Sequence, residues 1–210
     1  MLSRDIIKGP PLPPLDRGWG GGGGGSDGRG SDRRASLIGL AVLLATTTMV
    51  FAALTAAFWM RRGISDDWTS LHKPLTLWFN TVVLLASSLV LDRSRRALKN
   101  GDRGSFNVWW TAATALGVLF LAGQMYAWQQ LRAAGVYVAS SPASSFFYVL
   151  TAVHALHLLA GVTAMVYVDV QALRLRLGPA KRTAIDVTAI FWHFLDGVWL
   201  YLMVLFYVWG

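Results

Sequence analysis

Two long apolar segments near the C-terminus decide the fold of this chain. Residues 144–170 read SSFFYVLTAVHALHLLAGVTAMVYVDV, and residues 184–209 read AIDVTAIFWHFLDGVWLYLMVLFYVW. Each segment exceeds the roughly 20 residues that a helix needs to cross the hydrocarbon core of a bilayer. Because lipid offers no hydrogen-bond partners to the backbone, such segments are predicted to be helices. The sequence therefore predicts a membrane protein.

Both segments also carry ionisable side chains at depths that lipid disfavours. His154 and His157 lie one helical turn apart in the first segment, and Asp186, His193 and Asp196 follow in the second. These spacings place the side chains of each segment on roughly one face of a helix with 3.6 residues per turn. Because an ionisable group is costly to bury in a bilayer, we expect all five to turn inward and to find partners there.

The composition agrees with a membrane location. The 210 residues are 54% apolar and 14% charged, whereas charged residues make up about a quarter of an ordinary soluble chain. The net charge of +8 does not indicate a nucleic-acid partner, because the charges lie between apolar segments instead of on one face. No cysteine occurs, which excludes disulfides, thiolate zinc sites and iron–sulfur clusters.

The whole chain predicts an all-α bundle of five transmembrane helices. The predicted spans are about 37–60, 75–91, 108–131, 144–170 and 184–209, and the second is the shortest. Residues 1–36 are rich in proline and glycine and cannot bury enough apolar surface to offset their chain entropy, so they are predicted to be a disordered cytoplasmic tail. This tail has neither the pattern of a cleaved signal peptide nor that of a phosphate-binding loop.

Lysine and arginine predict the orientation of the bundle. Six lie in the tail, five in the loop after the second span and four in the loop after the fourth, which leaves only four for the opposite side. Because positive charge is retained on the cytoplasmic side, the N-terminus is predicted to be cytoplasmic and the C-terminus periplasmic.

The ionisable groups in the last two spans allow three interpretations. They can form a structural hydrogen-bonded cluster, act on lipid or protons, or hold a metal or a haem through His157 and His193. We expect Asp196 to pair with a histidine of the fourth helix. Asp186 is expected in the first turn of the fifth helix, where a carboxylate suits the helix dipole; capture of cytosolic protons is the alternative. Hydroxyls at positions 46–48 are expected to bond to preceding carbonyls.

Four motifs resemble subunit III of the haem–copper terminal oxidases, also known as the cytochrome c oxidase subunit 3 family. The most specific are SPxSSFFYxLTxxHxxHxxxG at residues 141–161 and DxxxxxWHFxDxxW at residues 186–199. Further matches are FNTxxLLAS at residues 79–87 and FLxGQxxAW at residues 120–128. The resemblance runs in order over residues 37–210 and is to the short, five-helix bacterial form, which lacks two N-terminal helices of longer members.

The resemblance implies a subunit with no redox centre, cofactor or metal ligand of its own. In the family, subunit III packs against the catalytic subunit that houses the haems and copper, holds phospholipids and helps to sustain proton uptake during oxygen reduction. It therefore implies oxidase subunits I and II and phospholipid as partners, in the bacterial plasma (inner) membrane. The residues at the family's characteristic positions, with Asp186 at a place usually held by glutamate, are called here the polar seam: His154, His157, Asp186, Trp192, His193, Asp196 and Trp199.

One departure from the family pattern concerns the first span. Many members carry a buried glutamate where this chain has Thr47, so no carboxylate role is expected at that site. The missing helix pair means that the lipid cleft of longer members is completed by another subunit or is absent. Two further hypotheses fit the same residues: the homologous accessory subunit of a nitric oxide reductase, and a small membrane cytochrome b or carrier. The choice between cytochrome c and quinol as electron donor lies in another subunit.

Overall fold

All regular secondary structure in the described chain is α-helical. The computed structural model describes residues 24–64, 75–174 and 179–209, with side chains for 33–64, 75–172, 174 and 182–208. Within these ranges the all-α prediction is confirmed. The five helices are α1 (Gly24–Ile64), α2 (Thr76–Lys99), α3 (Arg103–Ala133), α4 (Pro142–Leu173) and α5 (Pro179–Trp209).

Each helix extends beyond the apolar segment that predicted it. α2 continues well past Leu91, and α1 begins at Gly24 instead of Leu37. Residues 24–36 are therefore helical, where a disordered tail was predicted, and residues 1–23 lie outside the described chain. Extension is easy because adding a residue to an existing helix avoids the cost of nucleation. Apolar composition marks the part of a helix that suits lipid, not the ends of the helix.

The start of α4 is fixed by its own sequence. The Ser144 backbone N–H donates to the Ser141 hydroxyl at 3.2 Å, and the Ser141 N–H donates to the Ser144 hydroxyl at 3.0 Å. This reciprocal capping satisfies two of the amides that a helix start leaves unpaired. Pro142, which follows the cap, has a backbone angle already suited to the first helical turn.

A tight turn joins α2 to α3. Gly101 adopts φ of +81°, in the left-handed region that side chains other than glycine rarely occupy. Asp102 then caps α3 by accepting the Ser105 backbone N–H at 3.0 Å. The hydroxyl and the N–H of Ser105 hold the pKa of Asp102 below its ordinary value. The turn is short enough to make the two helices antiparallel neighbours.

Helices α2 and α3 pair along the full length of α2. The Thr76 hydroxyl donates to the Gln130 side chain at 2.7 Å at one end, and Ser94 donates to the Phe106 carbonyl at 3.5 Å at the other. Ser87 of α2 reaches the Ala113 carbonyl between them, at 3.4 Å. The two helices therefore stay in contact as an antiparallel hairpin from Thr76 to Ser94.

The five helices form a ring of four with one helix outside it. α2 contacts α3, α3 contacts α4, α4 contacts α5, and α5 closes the ring against α2, while α1 packs on α4 and α5. Within the described residues, four of the helices contain segments long and apolar enough to cross a bilayer: Arg33–Ile64, Arg103–Ala133, Pro142–Ala172 and Arg182–Val208. The interior of the ring is filled by large side chains, including Phe106, Trp110, Phe120, Met165, Trp192 and Trp199.

Candidate functional site: a buried polar seam

His154 lies in the middle of the bundle in an aromatic enclosure. Its side chain is fully buried, and its ring stacks on the indole of Trp199 with centroids 5.2 Å apart and planes 27° apart. Phe51 of α1 and Phe120 of α3 meet the same imidazole edge-on, each at 6.3 Å. Neither ring nitrogen has a hydrogen-bond partner within the described residues. His154 therefore joins α1, α3, α4 and α5 by packing.

Trp199 connects this enclosure to α2. Its indole N–H donates to the Thr81 hydroxyl at 3.0 Å, and that hydroxyl donates to the Leu77 carbonyl at 2.8 Å. Phe120 packs perpendicular to the indole with centroids 4.9 Å apart. Trp199 therefore satisfies its one polar group while its rings fill the core.

Trp192 occupies a slot that two glycines make possible. The indole is fully buried between α3 and α4, where a Cβ at Gly117 would lie 2.7 Å from its Cη2 atom. A Cβ at Gly161 would lie 3.2 Å from its Cε3 atom. Small residues of this kind let membrane helices approach closely. The Trp192 indole of α5 therefore packs directly against the backbones of α3 and α4 at these two glycines.

The predicted pairing of helix-four histidines with Asp196 is wrong. His157 is half-buried, and its Nδ1 atom bonds to the carbonyl of Val153 on its own helix at 2.7 Å. Its ring lies 5.8 Å from that of Phe51. His154 is enclosed by aromatic rings. The two histidines of α4 thus turn toward α1 and the aromatic core, away from the polar residues of α5.

The partners of His193 and Asp196 come from α2. His193 Nδ1 lies 2.9 Å from the Ser88 hydroxyl, which also bonds to Asp196 Oδ2. On the other side of the ring, His193 Nε2 lies 3.2 Å from Asp92 Oδ1. Asp196 is the buried end of this group, because only 7% of its side chain is exposed. The group joins the two helices that close the four-helix ring.

Asp186 extends the same contact toward the end of the bundle. Its Oδ1 atom lies 3.0 Å from Arg95 of α2, and Arg95 also lies 3.7 Å from Asp92. The expectation that Asp186 sits in the first turn of the helix is wrong, because α5 begins at Pro179. The carboxylate is paired with an arginine of a neighbouring helix and does not serve as a capping charge.

Three residues of this site were missed by sequence reasoning: Ser88, Asp92 and Arg95. Asp92 follows directly on the last residue of the apolar segment, so it was assigned to a loop. Its spacing of four from Ser88, and of three from Arg95, would have placed all three near one face if the helix had been continued. A second missed contact is Asp169 of α4, which accepts the Thr111 hydroxyl of α3 at 2.9 Å.

The threonines of α1 behave differently from one another. Thr46 and Thr48 donate to the carbonyls of Val42 and Leu44, at 2.9 and 2.8 Å, as predicted. Thr47 does not follow the prediction: its side chain is buried, and its hydroxyl has no partner within the described residues. Thr47 is therefore an uncharged, enclosed hydroxyl.

The histidines are poorly placed to ligate haem or metal together. Both ring nitrogens of His193 are engaged, by Ser88 and by Asp92, so coordination would require one of these contacts to be given up. His157 turns toward Phe51 on α1. Within the part of the chain that the structure describes, no group of three or more His, Cys, Asp or Glu side chains could hold a metal ion.

An apolar cleft opens between α1 and α5 beside this site. Its volume is about 460 Å³. One wall is the α1 face that also touches the α4 histidines, and Gly197 leaves the opposite wall open. The lining residues are Thr48, Phe51, Ala52, Thr55, Phe194, Gly197, Val198 and Tyr201.

These features define a helical membrane protein in which polar side chains of α2 and α5 bond to one another inside the bundle. The family model described as "Cytochrome c oxidase subunit III" matches residues 34–210. The chain therefore belongs to the cytochrome c oxidase subunit III family. The resemblance drawn from the four sequence motifs is confirmed.

Individual relatives agree with this assignment. Cytochrome c oxidase subunit 3 of Corynebacterium diphtheriae is 33% identical over 177 residues, covering 81% of this chain and 86% of the relative. The protein of the same name from Thermostichus vulcanus is 30% identical over 176 residues, covering 82% and 86%. Probable cytochrome c oxidase subunit 3 of Mycobacterium tuberculosis is 31% identical over 174 residues, covering 81% and 86%.

Proposed function

We propose that this chain is the non-catalytic subunit III of a proton-pumping haem–copper terminal oxidase in a bacterial plasma membrane. The haems and copper belong to partner subunits, and this chain stabilises the catalytic subunit, binds phospholipid and supports proton uptake during the reduction of oxygen to water. The observation that carries the proposal is family membership across residues 34–210, which include all five spans assigned below.

The contacts made by the polar-seam residues on α5 support a structural role for this chain. Trp192 and Trp199 are buried in helix packing, and both nitrogens of His193 are engaged by α2 side chains. A catalytic centre needs side chains that are free to meet a substrate or a cofactor. His193, Asp196 and Asp186 of α5 instead each bond to a side chain of α2, and such contacts between helices are what an accessory subunit requires.

We assign α2 as the fifth transmembrane span. Its composition alone does not qualify it, because Asp92, Arg93, Arg95 and Arg96 fall within its last turns. Its 24 residues nevertheless extend roughly 36 Å, against about 30 Å for the hydrocarbon core. It also pairs with the span-forming α3 from Thr76 onward. A helix that follows a span over this distance crosses the same bilayer.

The helix directions support a cytoplasmic N-terminus. α2 and α3 meet at the Gly101 turn, so the arginines before it and Arg103 lie at one end of the bundle. Thr55 of α1 accepts a hydrogen bond from Tyr201 of α5 at 3.1 Å, near the C-terminal ends of both helices. Arg95 near the end of α2 donates to Asp186 near the start of α5, which brings the N-terminal end of α5 to the basic turn. The N-terminal ends of α1 and α5, with Arg34 and Arg182, therefore lie with this turn on the predicted cytoplasmic side.

The cleft between α1 and α5 is our proposed phospholipid site. Its walls are almost entirely apolar, and its volume of about 460 Å³ suits an acyl chain. Thr48 already bonds to the carbonyl of Leu44 on its own helix, so the wall offers little to a polar ligand. The lipid would fill the space beside Gly197 and complete the contact between the two helices.

The experiment that tests this function is purification of the native complex through a tag on this chain, in mild detergent, with an inventory of bound proteins and lipids by mass spectrometry. Oxidase subunits I and II and phospholipid should be recovered. Recovery of a nitric oxide reductase catalytic subunit would assign the chain to the alternative complex. Recovery of the chain with no respiratory partner would contradict the proposal.

A further inference from the structure

We propose that Ser88, Asp92, His193 and Asp196 form a proton-holding relay, named here the α2–α5 cluster, in which one proton moves between the His193 imidazole and the Asp196 carboxyl through the Ser88 hydroxyl. This relay would be one way in which the chain supports proton uptake. It rests on the proposed function only for what the oxidase does with the proton.

The hydrogen count of the cluster defines a first state. Ser88 has one hydroxyl hydrogen, and in this state it is donated to the Asp196 carboxylate at Oδ2. The contact between Ser88 and His193 Nδ1, at 2.9 Å, then needs its hydrogen from the imidazole. Nε2 faces the Asp92 carboxylate at 3.2 Å and also donates. In this state His193 is an imidazolium between two carboxylates.

A second state satisfies the same contacts with one proton moved. The Nδ1–H bond breaks as that proton passes to Ser88 Oγ, and the former hydroxyl hydrogen of Ser88 passes to Asp196 Oδ2. His193 becomes a neutral imidazole that keeps its Nε2–H, and Asp196 becomes a carboxylic acid that donates to Ser88. The number of protons is unchanged and nothing is oxidised. Each heavy-atom contact of the first state is kept.

Ser88 is required for this transfer. His193 Nδ1 and Asp196 Oδ2 are 4.0 Å apart, which is beyond hydrogen-bond distance. The hydroxyl between them is within reach of both. It can accept from one group while it donates to the other, which a methyl group in its place cannot do.

The exposed fractions of the side chains give the relay a direction. Asp92 is 41% exposed, His193 34% and Asp196 only 7%. Asp196 Oδ1 has no hydrogen-bond partner within the described residues. A proton taken up at the Asp92 side therefore reaches a buried acceptor that passes it no further within the described chain. The cluster holds a proton and returns it by the same route.

The charged side chains near the α2–α5 cluster lie mainly on α2 and α5 themselves. On α2, Arg95 lies against Asp92, and Arg93 and Arg96 line the same pocket as Asp92. On α5, Asp186 pairs with Arg95. α1 contributes no charged residue between Arg34 and Arg61, and α3 none between Arg103 and Arg132. α4 contributes Asp169, which is bonded to Thr111, and the two histidines already placed in the aromatic core and against Phe51.

The test is the rate at which Asp196 gains a proton after a rapid drop in pH. The full chain is placed in lipid nanodiscs, and the carboxylic-acid C=O band of Asp196 is followed by time-resolved infrared spectroscopy, with Asp196→Asn identifying the band. Valine and threonine have nearly the same shape and differ in the hydroxyl, so Ser88→Val and Ser88→Thr are compared. Ser88→Ala serves if the valine variant does not fold, and Ser87→Ala controls for loss of a neighbouring hydroxyl.

We expect Ser88→Val to slow protonation of Asp196 by roughly a hundredfold, the scale of a lost proton-transfer group, with Ser88→Thr and Ser87→Ala close to the original rate. Equal rates in Ser88→Val and Ser88→Thr would overturn the relay. So would absence of an Asp196 carboxylic-acid band at every pH at which the chain stays folded. Both outcomes are independent of which proteins purify with the chain, so failure of the relay and failure of the proposed function are distinguishable.

Discussion

The imidazole of His154 stacks on the indole of Trp199, while both of its ring nitrogens lack a partner within the described residues. A buried imidazole held in this way contributes shape and contact area, and its polar atoms oppose burial. This fully buried histidine of the polar seam is therefore an aromatic packing element, whereas the hydrogen bonds of His193 and Asp196 join α2 to α5.

The first prediction concerns this packing role. His154→Ala should lower the free energy of unfolding by about 2–4 kcal/mol, because it leaves a cavity between Trp199 and Phe120. His154→Leu keeps most of the volume and removes two unpaired polar atoms, so it should cost less than about 1.5 kcal/mol. Leu156→Ala, at an exposed position on the same helix, is the control. Denaturation in mixed micelles measures all three; a leucine variant as damaged as the alanine variant would show that the imidazole has a polar role.

The second prediction concerns the slot for Trp192. Gly117→Ala places a methyl group against the indole and should destabilise the chain by about 1–3 kcal/mol. Gly39→Ala meets no atom within 4 Å and should be neutral or stabilising, since alanine is the better helix former. Adding Trp192→Phe to Gly117→Ala should recover part of the loss. Thermal unfolding in detergent distinguishes these variants. Equal melting temperatures for Gly117→Ala and Gly39→Ala would contradict the close packing of the Trp192 indole on Gly117.

The third prediction concerns Arg95 and Asp186. This pair is partly exposed, at 26% and 48% of the two side chains, so its interaction energy should be below about 1 kcal/mol and should weaken with added salt. A double-mutant cycle with Arg95→Gln and Asp186→Asn measures it. A coupling well above this range, unaffected by salt, would show that the pair is shielded from solvent and matters more to assembly than its exposure indicates.

The fourth prediction is a pH dependence at the α2–α3 turn. Hydrogen bonds from Ser105 lower the pKa of Asp102 in the folded chain, so its contribution to stability is present above the unfolded pKa and is lost as the pH falls through the folded pKa. Asp102→Ala should therefore have a lower melting temperature than the unmodified chain at neutral pH, and the difference should disappear in strong acid. Asp102→Asn retains a capping acceptor without the charge and should show little pH dependence. A gap that persists unchanged in acid would contradict this account.

The helices were predictable because each apolar segment must satisfy its backbone hydrogen bonds within itself when it lies in lipid. A long apolar stretch in lipid has only one way to satisfy its backbone, and the spans assigned to 108–131, 144–170 and 184–209 fall within α3, α4 and α5. The ends were not predictable from apolar composition. α2 shows why: its polar last turns stay helical beside α3, and they carry Asp92 and Arg95 into the site.

The partners within the site depended on how helices are arranged around the ring. Sequence reasoning paired Asp196 with a histidine of α4, because α4 and α5 are consecutive and carry the specific motifs. The closing contact of the ring is instead between α2 and α5, and it brings Ser88 to Asp196 across more than a hundred residues of sequence. Spacing along one helix says which side chains share a face, but not which helix that face meets.

We propose that this chain works in a respiratory complex without a redox centre of its own. The most direct measurement is the visible absorption spectrum and the copper content of the tagged native complex, before and after this chain is separated from its partners in detergent. The complex is expected to show haem absorption and bound copper, and the separated, folded chain is expected to show neither. Stoichiometric haem or copper that stays with the separated chain would contradict the account.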